Sequence, residues 1–134
     1  MSPLRTFIVE DSTIILDNLV ATLEELADVK VVGAMPDEQS AIDWIRDRNG
    51  SLDLIIVDIF LKSGSGLGVL RALQDTGVVA RRVVLTNYAT PDIRKRCVAL
   101  GAARVFDKSG ELEDLIDYCS RMARGGASAA GELP

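Results

Sequence analysis

Residues 52–58 read Leu52-Asp53-Leu54-Ile55-Ile56-Val57-Asp58, an almost unbroken apolar run closed by a carboxylate. Alternating apolar and polar residues would mark a strand with one wet face, whereas a continuous run marks a strand covered on both, as inside a parallel sheet. Shorter runs of the same kind lie at Phe7 to Val9, Val29 to Val32, Val83 to Leu85 and Val105 to Phe106. Helical spacing fills the gaps between them. Leu16, Leu19, Val20, Leu23 and Leu26 recur behind Ser12 or Thr13, either of which can cap a helix. Asp37 and Glu38 open a second helix that carries Ile42 and Ile45, with Trp44 as a packing residue. A third follows Gly66 with Val69, Leu70 and Leu73, and Gly77 is its expected stop. Thr90-Pro91-Asp92 starts a fourth, ending at Leu100-Gly101. The fifth follows Ser109, places Leu112, Leu115, Ile116, Cys119 and Met122 on one face, and ends at Gly125-Gly126.

Parallel neighbours need right-handed crossovers, so this alternation predicts the α/β class: one doubly wound parallel sheet of five strands flanked by five helices. Residues 1–124 form the single folded domain expected for a chain of 134 residues, and the Ala/Ser/Gly-rich stretch 125–134 is expected to be a flexible tail. Strand order is not contained in periodicity.

Fifteen Lys and Arg against twenty Asp and Glu leave a net charge of -5, which argues against attraction to nucleic acid or an anionic membrane. A protein or a small ion suits it better. The chain has no histidine, which excludes Ser-His-Asp triads, Cys-His pairs, HExxH zinc sites and imidazole acid/base catalysis. Any chemistry must run on carboxylates, hydroxyls and lysine. Cys97 and Cys119 form no CxxC and read as buried, reduced thiols. The opening Met1-Ser2-Pro3-Leu4-Arg5 lacks a signal-peptide core, and no stretch approaches the ~20 apolar residues of a membrane span, so a cytoplasmic protein is expected.

Ligands of open α/β sheets bind beyond the carboxyl ends of the strands. There the sequence places Glu10-Asp11, Asp58, Thr86-Asn87 and Asp107-Lys108-Ser109. Each has a plainer reading when taken alone: an acidic pair favoured by a helix dipole, a strand-end turn residue, a strand threonine, a solvated lysine. Together they are harder to explain. Converging carboxylates repel unless a cation sits among them, and an all-oxygen set suits Mg²⁺. The Thr86 hydroxyl and Lys108 ammonium match phosphate oxygens, and an aspartate can itself be the nucleophile that forms an acyl phosphate. Asp58, at the end of the most hydrophobic strand, is the candidate.

The set resembles the response-regulator receiver domains of two-component signalling. The likeness rests on Val9-Glu10-Asp11-Ser12, Ile56-Val57-Asp58-Ile59, Gly66 eight residues after Asp58, Leu85-Thr86-Asn87-Tyr88 and Asp107-Lys108-Ser109, spread over residues 5–123. It implies a flavodoxin-like sheet in the order 2-1-3-4-5, with Asp58 accepting a phosphoryl group from a partner histidine kinase or phosphotransfer protein. It implies Glu10, Asp11, Asp58 and the carbonyl of Phe60 as Mg²⁺ contacts, and Thr86 and Lys108 as phosphate sensors. Such a domain is a phosphoacceptor that assists its own phosphorylation and dephosphorylation rather than an enzyme. Its output surface lies around the fourth helix, fifth strand and fifth helix, and phosphorylation-linked homodimers are common. No DNA-reading helix pair follows Arg124, so output would fall to another protein or to a C-terminal effector domain outside this chain.

The pattern departs in places. Val105 stands where the family usually has an aromatic, and Phe106 must face the other side of the sheet, so Tyr88 is expected to move instead. Lys62 and Ser109 stand where many receivers have proline, and Phe60 with Tyr88 would slow the approach of water to a phosphorylated Asp58. Arg94-Lys95-Arg96 reads as a solvated helix face, with partner binding as the alternative. Two competing readings are a flavin-binding module, which would want Gly, Ser and Thr where Glu10-Asp11 stand, and a docking module that is never phosphorylated, which leaves the intact acidic set unexplained.

Overall fold

The computed structural model describes residues 3–48 and 51–125. The elements run β1 (Leu4–Val9), α1 (Thr13–Leu26), β2 (Val29–Met35), α2 (Glu38–Asp47), β3 (Leu54–Val57), α3 (Gly66–Gln74), β4 (Arg81–Thr86), α4 (Pro91–Ala99), β5 (Arg104–Asp107) and α5 (Leu112–Arg124). All four strand pairs are parallel and the sheet order is β2-β1-β3-β4-β5. That is the order the resemblance implied.

Every residue of β3 is buried, as its unbroken apolar run requires. Ile55 and Val57 face a core shared with Ala41, Ile45, Leu70, Leu73 and Cys97 of α2, α3 and α4. Leu54 and Ile56 face the opposite core with Leu19, Leu23, Leu115 and Cys119 of α1 and α5. Val105 and Phe106 divide between the same two cores, so Phe106 indeed points away from the Val105 side. Burial pushes the thiol of Cys97 up to about 11 and that of Cys119 up to about 12, leaving both as inert packing groups. Trp44 stacks on Phe7 with ring centroids 4.3 Å apart, and a Cβ on Gly33 would lie 2.3 Å from the indole.

Side chains cap four of the five helices: Ser12, Asp37, Ser65 and Thr90 accept from the backbone N–H groups of Ile15, Ser40, Leu67 and Ile93. Local expectations fail in three places. Leu52 precedes β3, because pairing starts only at Leu54 opposite Thr6. Leu26, in the last turn of α1, is 57 % exposed and leaves the apolar stripe. Helix α3 stops at Gln74 with Asp75 as its cap, and Gly77, at φ +73, turns the connection that follows instead of ending the helix. Gly125 caps α5, while residues 126–134 of the expected tail lie outside the described residues. Among the described residues no helix is long and apolar enough to cross a membrane.

Candidate functional site

Sheet order reverses between β1 and β3, so a crevice opens beyond their carboxyl ends. Their register pairs Val9 with Val57, and the Asp58 N–H donates to the Val9 carbonyl at 3.0 Å. The next residues of the two strands, Glu10 and Asp58, are therefore neighbours. Asp11 joins them: one carboxylate oxygen from each of the three lies within 4.8 Å of the others. Glu10 is 4 % exposed and Asp58 7 %, a costly burial for two like charges unless a cation compensates.

Lys108 supplies one. Its register neighbour Asp107 pairs with Thr86 across β4 and β5, and its Nζ donates to Glu10 Oε1 at 2.6 Å and to Asp58 Oδ2 at 2.9 Å. Burial pulls this ammonium down, but the two hydrogen bonds and the charges of both carboxylates outweigh it, so its pKa stands above the ordinary lysine value. The other Glu10 oxygen accepts from the Ser12 N–H at 3.0 Å, and Asp11 Oδ2 accepts from the Lys62 N–H at 2.6 Å. Asp58 Oδ1 accepts weakly from the Phe60 N–H at 3.4 Å. Thr86 is fully buried, and its hydroxyl oxygen accepts from the Tyr88 N–H at 3.5 Å.

These groups line a cavity of about 170 Å³, together with Phe60 and Tyr88. The two rings meet edge to face at 5.0 Å and are about half exposed. Below the cavity, Gly66 is pressed against the strand end: a Cβ there would lie 2.1 Å from the Asp58 carbonyl oxygen. Only glycine permits that approach.

The donor set fits a hard divalent cation. An octahedral Mg²⁺ wants oxygens at ~2.0–2.1 Å, hence opposite ligands about 4.1 Å apart, and three anionic oxygens within 4.8 Å come near this through small side-chain rotations. No thiol or imidazole competes for a softer metal at this rim.

The sequence-predicted residues Glu10, Asp11, Asp58, Thr86, Lys108 and Phe60 thus meet at one cavity. Asp107 does not join them. Its carboxylate turns to the Ser109 hydroxyl and N–H, hydrogen bonds that hold it below the usual carboxylate range. Arg94 corrects the solvated-face reading of Arg94-Lys95-Arg96. Its guanidinium donates to the carbonyls of Ala89 at 3.0 Å and Val105 at 2.9 Å, and to Glu111 Oε1 at 2.8 Å, which ties α4, β5 and the start of α5 together. Arg96 pairs with Asp92 one turn away at 3.2 Å, as an exposed helix face would. Sequence reasoning also missed Glu38, which reaches from α2 to the backbone after β3 and accepts from the Ser65 N–H at 2.9 Å.

Comparison with known proteins agrees with this geometry. The model of the response regulator receiver domain matches residues 6–120. The transcriptional regulatory protein YvfU of Bacillus subtilis is 32 % identical over 97 % of this chain and 64 % of its own length. DesR of the same organism is 30 % identical over 95 % of this chain and 62 % of its own. The chain thus spans under two thirds of these curated relatives. The signal receiver domain of the response regulator NarL from Mycobacterium tuberculosis superposes with a TM-score of 0.81 at 20 % identity, over 93 % of this chain and 99 % of that one.

Proposed function

We propose, because this chain belongs to the response regulator receiver domain family, that Asp58 is its phosphoacceptor and that the family's phosphorylation-dependent signalling runs through this cavity. The observation that carries the assignment is the pairing of Asp58 with Lys108 beside Glu10 and Asp11 at the reversal point of the sheet. The donor is a partner histidine kinase or phosphotransfer protein. An Asp58 oxygen attacks phosphorus, the new P–O bond forms as the P–N bond of a phosphohistidine breaks, and the imidazole departs with the electron pair. A Mg²⁺ held by Glu10, Asp11, Asp58 and the Phe60 carbonyl would neutralise charge on the transferring oxygens.

At rest Asp58 Oδ2 accepts a hydrogen bond from the Lys108 ammonium at 2.9 Å. As charge moves onto the phosphoryl group, Lys108 exchanges that contact for a phosphate oxygen, and the Thr86 hydroxyl donates to another. Drawing Thr86 inward pulls on Tyr88, whose N–H is bonded to the threonine oxygen. The altered surface lies around α4, β5 and α5, where a protein partner, an effector domain or a second copy of the chain reads it. The domain acts as a phosphoacceptor that assists its own phosphorylation and dephosphorylation, not as an enzyme, in the cytoplasm and without touching nucleic acid or membrane. Residues 1–124 make up this unit and 125–134 its tail.

The test is intact mass after incubation with Mg²⁺ and a small acyl phosphate. A single added phosphate should appear on the parent and vanish in Asp58→Asn or with the metal chelated. If the parent takes none and does not respond to beryllofluoride, the domain is a docking module and the proposal falls.

A further inference from the structure

Helix α4 is the least firmly packed of the five. Among its residues only Cys97 is buried, whereas α1 buries two, α2 three, α3 four and α5 three. Arg94 supplies the missing attachment. Its Nε donates to the Ala89 carbonyl at 3.0 Å, in the loop that leads from Thr86 to α4. Its Nη1 donates to the Val105 carbonyl at 2.9 Å and its Nη2 to Glu111 Oε1 at 2.8 Å, so two of the three bonds cross to β5 and to the start of α5. Those far anchors give way little. Val105 is a buried strand residue, and Glu111 Oε1 is also held by the Asp107 N–H at 2.8 Å. Glu111 is the N-cap residue of α5, yet its side chain makes no capping bond and engages the guanidinium instead. The near side moves as one piece: the Tyr88 N–H is bonded to the Thr86 hydroxyl oxygen at 3.5 Å, and the Thr90 N–H donates to the Tyr88 carbonyl at 2.9 Å.

We infer that Arg94 is a latch on the unphosphorylated state: it ties the loop from Thr86 to α4 to the immobile backbone of β5 and to Glu111, and so opposes the engagement of Thr86 with a phosphoryl group on Asp58. The inference rests on the reading of Asp58 as phosphoacceptor and Thr86 as a phosphate contact. When the Thr86 hydroxyl turns to a phosphoryl oxygen, the loop and the first turn of α4 are drawn after it. The bonds to Val105 and Glu111 then stretch, because β5 cannot follow. Contacts made in one state and weakened in the other bias the equilibrium by their difference, so their removal favours the phosphorylated arrangement. Damage to the site would have the opposite sign. Only a planar fork reaches three acceptors at once, which a lysine ammonium at the same place does not reproduce.

The experiment measures the Kd of beryllofluoride, an acyl-phosphate mimic, for the full chain in saturating Mg²⁺, from the NMR signal of the Asp58 amide. Arg94 is 39 % exposed, so in Arg94→Met water can take over its acceptors and the fold should persist. Arg94→Met should bind the mimic about threefold to tenfold more tightly than the parent, the middle of the range for single residues that couple two regions without touching the ligand. Arg94→Lys should shift the same way. Arg96→Met, which removes a cation only from the exposed pair with Asp92, should bind as the parent does. In a Thr86→Ala background there is no hydroxyl to draw the loop, and Arg94→Met should change the Kd no further. A folded Arg94→Met whose Kd equals or exceeds the parent's overturns the inference and leaves the function standing. Equal tightening in Arg96→Met, or the same tightening without Thr86, overturns it too. Should Arg94→Met fail to fold, Arg94→Lys decides by the same comparison. A parent that binds no beryllofluoride and takes no phosphate overturns the functional reading itself, and the inference with it.

Discussion

Adding one methyl group at Gly66 should disturb both the fold and the proposed phosphoacceptor, Asp58. In Gly66→Ala the new carbon would meet three backbone atoms: the Asp58 carbonyl oxygen at 2.1 Å, its carbon at 2.8 Å and Ile59 Cα at 2.8 Å. A carbon wants about 3.5 Å, so backbone at the end of a fully buried strand must retreat by more than about 1 Å. Overpacking of this kind costs ~1–3 kcal/mol or more, and the better helix propensity of alanine returns ~1 kcal/mol at most. Backbone contacts this close put the cost at the upper end, and a net loss of about 2 kcal/mol lowers the melting temperature of a domain this size by about 7 °C. Because the displaced backbone carries Asp58, phosphorylation by acyl phosphate should slow by up to ~100-fold, the cost of a misplacement near 1 Å. Two other glycines separate sterics from backbone strain. Gly110→Ala meets nothing within 4 Å and should be neutral or stabilising by up to ~1 kcal/mol. Gly77→Ala also has open space but sits at φ +73, and should lose ~1–2 kcal/mol with no effect on phosphorylation. Thermal melts of the three, with intact-mass phosphorylation time courses, test the reasoning. A Gly66→Ala protein that melts with Gly110→Ala and phosphorylates like the parent refutes it.

Lys108→Met leaves Glu10 and Asp58 buried without their cation and should cost about 3 kcal/mol, the low end for breaking a buried pair because the cavity admits water. Added Mg²⁺ should recover more stability in this variant than in the parent, and equal recovery in paired melts would remove Lys108 as the resting counter-ion. Phe60→Asn and Tyr88→Ala open the ring pair over the cavity and should each speed loss of phosphate from Asp58 several-fold; time courses no faster than the parent's would contradict a shielding role. The Arg94 hydrogen bond, followed by that of the Asp107 N–H, holds Glu111 below the ordinary value of 4.5. A depressed carboxyl contributes stability that is present above its unfolded value and lost as pH falls through the folded one. Acid titration of Glu111→Gln against the parent should therefore show their difference shrinking below about pH 4.5, and a constant difference down to pH 2 would mean the ion pair contributes nothing.

Strand β3 is legible because burial on both faces leaves a mark in every residue, and the rim is legible because strand ends can be counted off. Glu10, Asp58 and Thr86 could be nominated from that alone, since each directly follows the apolar run before it, and Asp11 and Lys108 come one residue further on. Pairing order could not, because periodicity records which faces are covered and not which strand lies alongside. Glu38 stayed hidden behind a sufficient local explanation: an acidic residue in the first turn of α2 already satisfies the helix dipole. Arg94 was hidden by its neighbours, Lys95 and Arg96, which make a charged run look uniformly solvated. Its three acceptors come from residues 89, 105 and 111, a convergence that exists only once α4 is laid across β5.

The stacking of Trp44 on Phe7 has a spectroscopic consequence. This is the chain's single tryptophan, held between the Phe7 ring, the Arg48 guanidinium 4.4 Å from its centroid and the bare face of Gly33. Its indole is absent from the lining of the acidic cavity and reports the docking of α2 onto the sheet. Intrinsic emission is therefore a monitor of folding that ligand chemistry at Asp58 leaves largely unperturbed. One optical signal can rank the stabilities of all the rim variants on a common scale.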